Sequence, residues 1–433
     1  MQGVSFLRKI VFPLLILFLV LLSDCSPGKR MEKIVLPNGL RIILLHRDSP
    51  VSSAVFLIRC GEADGPEGLT RITTDLLLRG TEIRTSHQMY EEIESLGGRV
   101  GDETALMTSL VYVQAPPETF QRCFNILGEC LTQPAFDNEW IEKMYHKTRS
   151  QFTFIGEHYL WKDSGIRQIL FCGSPLSRSL YNNRKRIYPR EEILNHYRKY
   201  YIPSNIVLAV VGRFGSNEIL KEVLSLWPPL KQNRGFRRPD VSLGVLEDTR
   251  EKISLCKKSS TDRVLIGFSA PASFKNSFLS VRLLEMLIAS GKSSFLPNIF
   301  QFEGKREYKI KSYYQSEEAY GYFVIEIETP SGEGFAAKSF VLNKLEQLKK
   351  NGISLEQFEI AKRKLLFELA YNSQYTLQEA VFLATAFLGK TSYLTLPSIE
   401  EEIKKINLDE VQHTANSLFQ EPAVWISTGI LKR

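Results

Sequence analysis

No two of the six histidines, at positions 46, 87, 146, 158, 196 and 413, stand at the His-x-x-x-His spacing that puts paired imidazoles on one helix face. A G-x-S-x-G nucleophile elbow is also missing, which removes the usual local sign of a serine hydrolase. The six cysteines contain no CxxC pair, and nothing in their spacing requires a bridge. There is no low-complexity segment and no block of like charge. Fifty-five Lys and Arg against 48 Asp and Glu leave a net +7. Short basic runs such as Lys257-Lys258 and Arg237-Arg238 lie among acids, as on a solvated surface and not on a nucleic-acid-binding face.

What is present begins at the N-terminus. Arg8-Lys9 precede the apolar run Val11 to Leu22, interrupted only by Pro13. The run is too short to span a bilayer as a stable helix and matches the n- and h-regions of an export signal. It ends in Leu22-Ser23-Asp24-Cys25-Ser26, which looks like a bacterial lipoprotein signal over residues 1–24 with Cys25 as the acylated anchor. The other reading is an ordinary signal peptide with an incidental cysteine. On the first reading the protein is exported to the cell envelope and held to a membrane by lipid, facing the periplasm or on the outer membrane. Cys123 and Cys130, two helical turns apart in an apolar pattern, read as buried small hydrophobes.

At 433 residues the chain can hold two domains with full cores, and it repeats itself at an interval of roughly 211 to 217 residues. The strand-like run from Val51 to Cys60 is echoed by Asp262 to Ser269, and each precedes an amphipathic helix, over 69–79 and 279–290. Ser109 to Pro116 corresponds to Tyr322 to Pro330. Each of these strands enters a helix (118–131 and 335–350), a turn, and a second long helix (137–155 and 354–372). The pattern predicts an α+β protein of two homologous domains, each a mixed or antiparallel sheet flanked by helices. The boundaries expected are 31–231 for the first, a polar, basic linker over 232–249, and 250–433 for the second.

One frame carries most of the functional information. Gly68-Leu69-Thr70-Arg71-Ile72-Thr73-Thr74-Asp75-Leu76-Leu77-Leu78-Arg79-Gly80-Thr81 resembles the helix that bears the inverted zinc motif His-x-x-Glu-His in the pitrilysin/insulinase metallopeptidases. Further motifs follow in order: Leu36-Pro37-Asn38-Gly39-Leu40-Arg41, then Tyr201-Ile202-Pro203-Ser204-Asn205 with Leu208 to Gly212, then Ser290-Gly291-Lys292-Ser293-Ser294. The resemblance, closest to the processing-peptidase branch, covers essentially residues 31–433.

In that frame the first histidine falls on Arg71, the catalytic glutamate on Thr74 and the second histidine on Asp75. Arg71 offers no lone pair. Its charge about 4 Å from a dication is repelled by roughly 8 kcal/mol at an effective dielectric near 20. Thr74 is no general base. Asp75 is one carboxylate where a zinc site needs about three ligands, and its alternative role is an i, i+4 ion pair with Arg71. The family's third ligand, a glutamate on a later helix, falls in Lys143 to Gly156, which holds no carboxylate. The resemblance thus implies zinc for the family and none here.

The family's peptide-holding residues, an arginine and a tyrosine, fall on Gln301 and Tyr308. Gln301 has lost the charge, whereas Tyr308 either keeps a peptide-binding phenol or packs in its strand. The substrate-binding edge strand reads Gly101-Asp102-Glu103-Thr104, keeping Thr104. An open strand edge binds extended peptides through its backbone whatever its side chains. The resemblance therefore implies a non-catalytic lipoprotein subunit that pairs with a zinc-motif-bearing paralogue, or with itself, around peptides. Two alternatives stay open: an active metalloendopeptidase with an atypical site, for which His146, Glu157 and His158 form the nearest cluster, and a stand-alone peptide-binding or scaffold module of the envelope.

Overall fold

The strands that read as unbroken apolar runs are those covered on both faces. β3 (Ser52–Ile58) and β6 (Ile206–Gly212) are buried along their whole length, so nothing selects an alternating pattern in them. The computed structural model describes residues 30–144, 165–178, 187–227, 238–241, 250–255, 260–275, 277–296, 308–389, 391 and 395–428. Cys25, Gln301, the His146–Glu157–His158 cluster and most of the 232–249 linker lie outside these residues.

With β1 (Arg30–Val35), β2 (Arg41–His46), β4 (Arg99–Thr104) and β5 (Ser109–Ala115), the first sheet runs β1-β2-β6-β3-β5-β4. The second, built from β7 (Glu251–Leu255), β8 (Thr261–Ala270), β9 (Lys309–Ser316), β10 (Gly321–Pro330) and β11 (Ala423–Thr428), runs β7-β11-β8-β10-β9. The pairings repeat strand for strand. β2 is parallel to β6 as β7 is to β11. The next three junctions are antiparallel in both sheets. The duplication seen in the sequence is thus a duplication of topology, and the first sheet adds only β1 at its edge.

Helices cover the sheets where their apolar stripes require it. In the first half these are α1 (Leu69–Leu77), α2 (Ser86–Ser95), α3 (Pro117–Thr132), α4 (Ile166–Leu170), α5 (Arg190–Tyr200) and α6 (Ser216–Leu226). In the second they are α7 (Phe278–Ala289), α8 (Gly334–Asn351), α9 (Leu355–Asn372), α10 (Thr376–Leu388), α11 (Leu396–Lys405) and α12 (Leu408–Leu418). The expected helices at 69–79, 279–290, 118–131, 335–350 and 354–372 are present within two residues of their ends. That expected over 137–155 is described only to Met144, where it is helical. No helix among the described residues is long and apolar enough to cross a membrane.

The two halves exchange helices. α10, from the second half, lies on β3 and β6 of the first sheet, where Leu383, Ala384 and Leu388 join Val55, Leu57, Val207 and Val211 in one buried cluster. α4, from the first half, lies on β8 and β11 of the second, with Ile166, Ile169 and Leu170 packed against Leu265 and Trp425. Gly267 on β8 makes this approach feasible: a Cβ there would stand 2.2 Å from Ile166 Cγ1.

Polar contacts seal the same seam. The β9–β10 turn reaches the β4–β5 turn, where the buried Glu317 carboxylate accepts from Met107 N and Thr108 Oγ1, both at 3.0 Å, and from Tyr320 OH at 2.7 Å. Burial pushes the Glu317 carboxyl up, and these donors oppose the shift. Arg59 forks onto Glu318. Arg238 grips Asp64 in a bidentate pair that is 3% and 2% exposed. Ser53 Oγ meets Thr376 Oγ1 at 2.7 Å, and Arg47 bonds Glu379 and the Ser373 and Gln374 carbonyls.

Candidate functional site

α1 starts without a side-chain cap of its own: its N-cap is Gly68, at φ 86°. The carboxylate of Glu62 takes over, accepting from Gly68 N at 2.8 Å and Arg71 N at 3.0 Å. A negative group on these orphan N–H donors satisfies them and complements the helix dipole. Burial pushes the Glu62 carboxyl up while those two bonds and the Arg71 charge pull it back. Glu62 escaped the sequence analysis because a cap supplied from a preceding loop has no fixed spacing.

Thr74, at the catalytic position of the frame, has no solvent exposure. Its hydroxyl donates to the Thr70 carbonyl at 2.9 Å and meets Tyr201 OH at 2.7 Å. Where a general base would face water there is a closed polar contact inside the core. Tyr201 belongs to the Tyr-x-Pro-x-Asn motif, so the motif and the helix lock onto each other. Arg71 reaches back over the sheet edge, with Nη2 3.4 Å from the Thr104 carbonyl.

Asp75 has a second neighbour that the sequence did not offer. The group that hydrogen-bonds it is the carboxyl of Asp102 on β4, and the charges of Arg71 and Arg79 act on it more weakly. Burial first, then the bond and repulsion from Asp102, push Asp75 up to about 8. Burial and a neighbouring carboxyl both disfavour the ionised form of Asp75. The i, i+4 pairing was a local inference; the closeness of α1 to β4 is tertiary.

The residues at the metal positions do not fit a zinc ion. Arg71 brings a guanidinium with no lone pair to one of them, and at the base position Thr74 brings a hydroxyl closed off in the core. Among the described residues, no three or more His, Cys, Asp or Glu side chains gather as a metal site requires.

The protonated carboxyl has a consequence for stability. Its folded-state value lies above the ordinary one near 3.9. Between about pH 4 and 8 the folded chain therefore holds a proton that the unfolded chain releases, and stability present at low pH declines as pH rises through that window. Asp75→Asn keeps a donor toward Asp102 and cannot ionise. It should be at least about 1 kcal/mol more stable than the parent above pH 8 and nearly equal to it at pH 4. Urea unfolding at the two pH values checks this; a difference that ignores pH would refute the upward shift of Asp75.

A second buried polar cluster lies at the start of α1. His196 Nε2 stands 3.0 Å from Thr70 Oγ1 and 3.5 Å from Cys60 Sγ. It resembles a thiol–imidazole dyad and lacks its electrostatics. Burial pushes the Cys60 thiol well up and brings His196 down to about 4. Both groups are neutral near pH 7, so this is packing chemistry and no activated nucleophile. Cys60, Cys123 and Cys130 are buried free thiols, the last two as the sequence predicts.

The peptide-binding candidates are placed as follows. Thr104 ends β4, 5% exposed, and its Oγ1 has no hydrogen-bond partner among the described residues. Tyr308 directs its phenol to Glu333 Oε2 at 3.0 Å and packs against the second core. β4 is the edge of its sheet and pairs only with β5 among the described residues. Its side chains alternate: Asp102 bonds Asp75 on α1, while Glu103 borders a cavity of about 530 Å³ lined by Phe274, Phe278, Leu279, Leu365 and Phe382. An open strand edge thus runs past an apolar cavity formed mostly by the second half.

Comparison with known proteins agrees with this architecture. The model of the insulinase family, peptidase family M16, matches residues 41–182, and that of the peptidase M16 inactive domain matches 188–365. A protein of Rickettsia bellii called an uncharacterized zinc protease is 23% identical over 404 residues, 90% of this chain and 95% of its own. The probable mitochondrial-processing peptidase subunit beta of Arabidopsis thaliana is 22% identical over 205 residues, 46% of this chain and 39% of its own. The peptidase M16 inactive domain from Pseudomonas fluorescens superposes with a TM-score of 0.83 at 14% identity, covering 93% of this chain and 98% of that one.

Proposed function

The chain belongs to peptidase family M16, and from that premise we propose that it is a non-catalytic member. In this reading it binds peptides and works as a lipid-anchored envelope subunit beside a zinc-bearing relative. The observation that carries the loss of catalysis is the state of α1: Thr74 is sealed into a hydrogen bond with Tyr201, and Arg71 offers no lone pair. A hydrolytic ion needs deprotonated ligands, an open coordination position and a base that can reach water. Arg71 cannot serve as a ligand and Thr74 cannot serve as the base.

Peptide binding is supported by the open edge of β4 and the apolar cavity beside it. Strand addition draws affinity from main-chain hydrogen bonds and specificity from pockets for alternate side chains, which is why an edge beside a cavity supports this reading. Pairing with a relative is supported by the likeness to a protein named as a processing-peptidase subunit. The anchor is supported by the run that ends at Cys25.

The test uses the purified full chain. It should carry well under one zinc per molecule and cleave a quenched peptide no faster after zinc loading. Stoichiometric zinc with chelator-sensitive turnover would end the non-catalytic reading. Pull-down from solubilised membranes should recover a chain with an intact His-x-x-Glu-His. Recovering none would favour the stand-alone peptide-binding module.

A further inference from the structure

The outer face of α9 carries an aromatic row that the core does not use. Phe367, Tyr371 and Tyr375, spaced by four along the helix and just past its end, are 70%, 47% and 48% exposed. They contact one another: Phe367 stacks on Tyr371 at 6.1 Å between ring centroids, Tyr371 meets Tyr375 edge-on at 5.7 Å, and the two hydroxyls are 3.2 Å apart. Arg363, also exposed, precedes Phe367 by one turn on the same row. Large aromatic groups exposed as a contiguous row are uncommon on a monomer surface without a partner.

The row's place in the fold says what meets it. Arg47, just after β2, donates to the carbonyls of Ser373 and Gln374, which lie between Tyr371 and Tyr375. The preceding residue, His46, pairs in register with Arg30, the first residue of β1. The row and the start of β1 therefore share one corner of the molecule. Cys25 precedes Arg30 by five residues (30 − 25), a reach of at most about 18 Å. A lipid on Cys25 brings the bilayer surface to this corner, and no equally short tether brings it elsewhere.

We propose that the Phe367–Tyr371–Tyr375 row is a membrane-contact surface, seated at headgroup depth in the bilayer that holds the Cys25 lipid. The inference rests on the reading of Cys25 as the anchor. Tyrosine suits that depth because its ring is apolar and its hydroxyl polar, and the exposed Arg363 suits anionic headgroups. The acyl anchor supplies the affinity. The row only has to choose an orientation, and tethering raises its effective concentration enough for a weak patch to do so. Leu369 and Asn372, on the adjoining face of α9, line the cavity beside β4, so docking holds that cavity alongside the lipid surface.

The experiment reconstitutes the full-length acylated protein, carrying Tyr371→Trp, in phosphatidylethanolamine/phosphatidylglycerol vesicles. The emission added over the native tryptophans should be quenched by phospholipids brominated near the headgroup end of their acyl chains and shielded from aqueous iodide. Iodide quenching without bromolipid quenching overturns the proposal. Independently of acylation, the Cys25→Ser chain should partition onto the same vesicles about threefold or more better than Cys25→Ser with Phe367→Ser, Tyr371→Ser and Tyr375→Ser. Equal partitioning overturns it, as does a self-association in sedimentation velocity that the same three serines abolish, which would make a second copy the occupant. Palmitate labelling reports separately on the anchor: its absence would sink that reading and leave the row to be judged by the partition measurement.

Discussion

Replacing Arg238 with methionine should lower the stability of the folded chain by about 3–5 kcal/mol, the range found when one partner of a buried ion pair is removed. Asp64 keeps one donor, the Gly61 N–H at 2.8 Å, and would otherwise stand as a bare carboxylate at 2% exposure. The same substitution removes the guanidinium 3.7 Å from Glu318, on the turn that joins the second half to the first. Replacing both partners by apolar groups, Arg238→Met with Asp64→Leu, should recover most of the loss, because no uncompensated charge then stays buried. Equilibrium unfolding in urea decides the matter. A single-variant cost under about 1 kcal/mol would mean that water reaches the pair.

Truncating Leu383 to alanine should cost about 2–5 kcal/mol, the range for a large-to-small change in a packed core. Leu383 is 1% exposed and lies on the first sheet, although its helix belongs to the second half. The loss should therefore appear as weakened coupling between halves. The parent should unfold in one transition, whereas the variant should show the halves separating first, with an early shift in the signals of β3 and β6. The paired change on the other side of the exchange, Ile169→Ala in α4, should act likewise on the second sheet. A variant that unfolds in a single transition at an unchanged midpoint would refute the helix exchange.

Much of the fold was legible before any coordinates. Repeated strand–helix–strand–helix patterns carried the duplication, because amphipathic periodicity is local and survives divergence. The degenerate motif was legible for a similar reason: its frame is set by the packing of α1, so Gly68, Leu69, Leu77 and Gly80 stand around Arg71, Thr74 and Asp75. The partners were less visible. The i, i+4 rule offered Arg71 to Asp75, and its charge does act there, but nothing local offered the Asp102 carboxyl on β4. The helix exchange left a faint trace in Thr376–Leu388, where nine of thirteen residues are apolar. A helix that apolar needs cover over most of its surface, but composition does not say which sheet provides it.

The amino-acid order alone determined that this chain keeps the scaffold of a metallopeptidase and has an arginine, a threonine and an aspartate where ligands and base belong. Side-chain chemistry at a known helical spacing suffices for that. Only the folded molecule decided that Asp75 is buried beside a second carboxyl, that Thr74 is closed off from water, that each half lends a helix to the other, and that an aromatic row shares a corner with the start of β1. Those facts depend on groups tens to hundreds of residues apart, whose burial and mutual distance exist only once both sheets have come together.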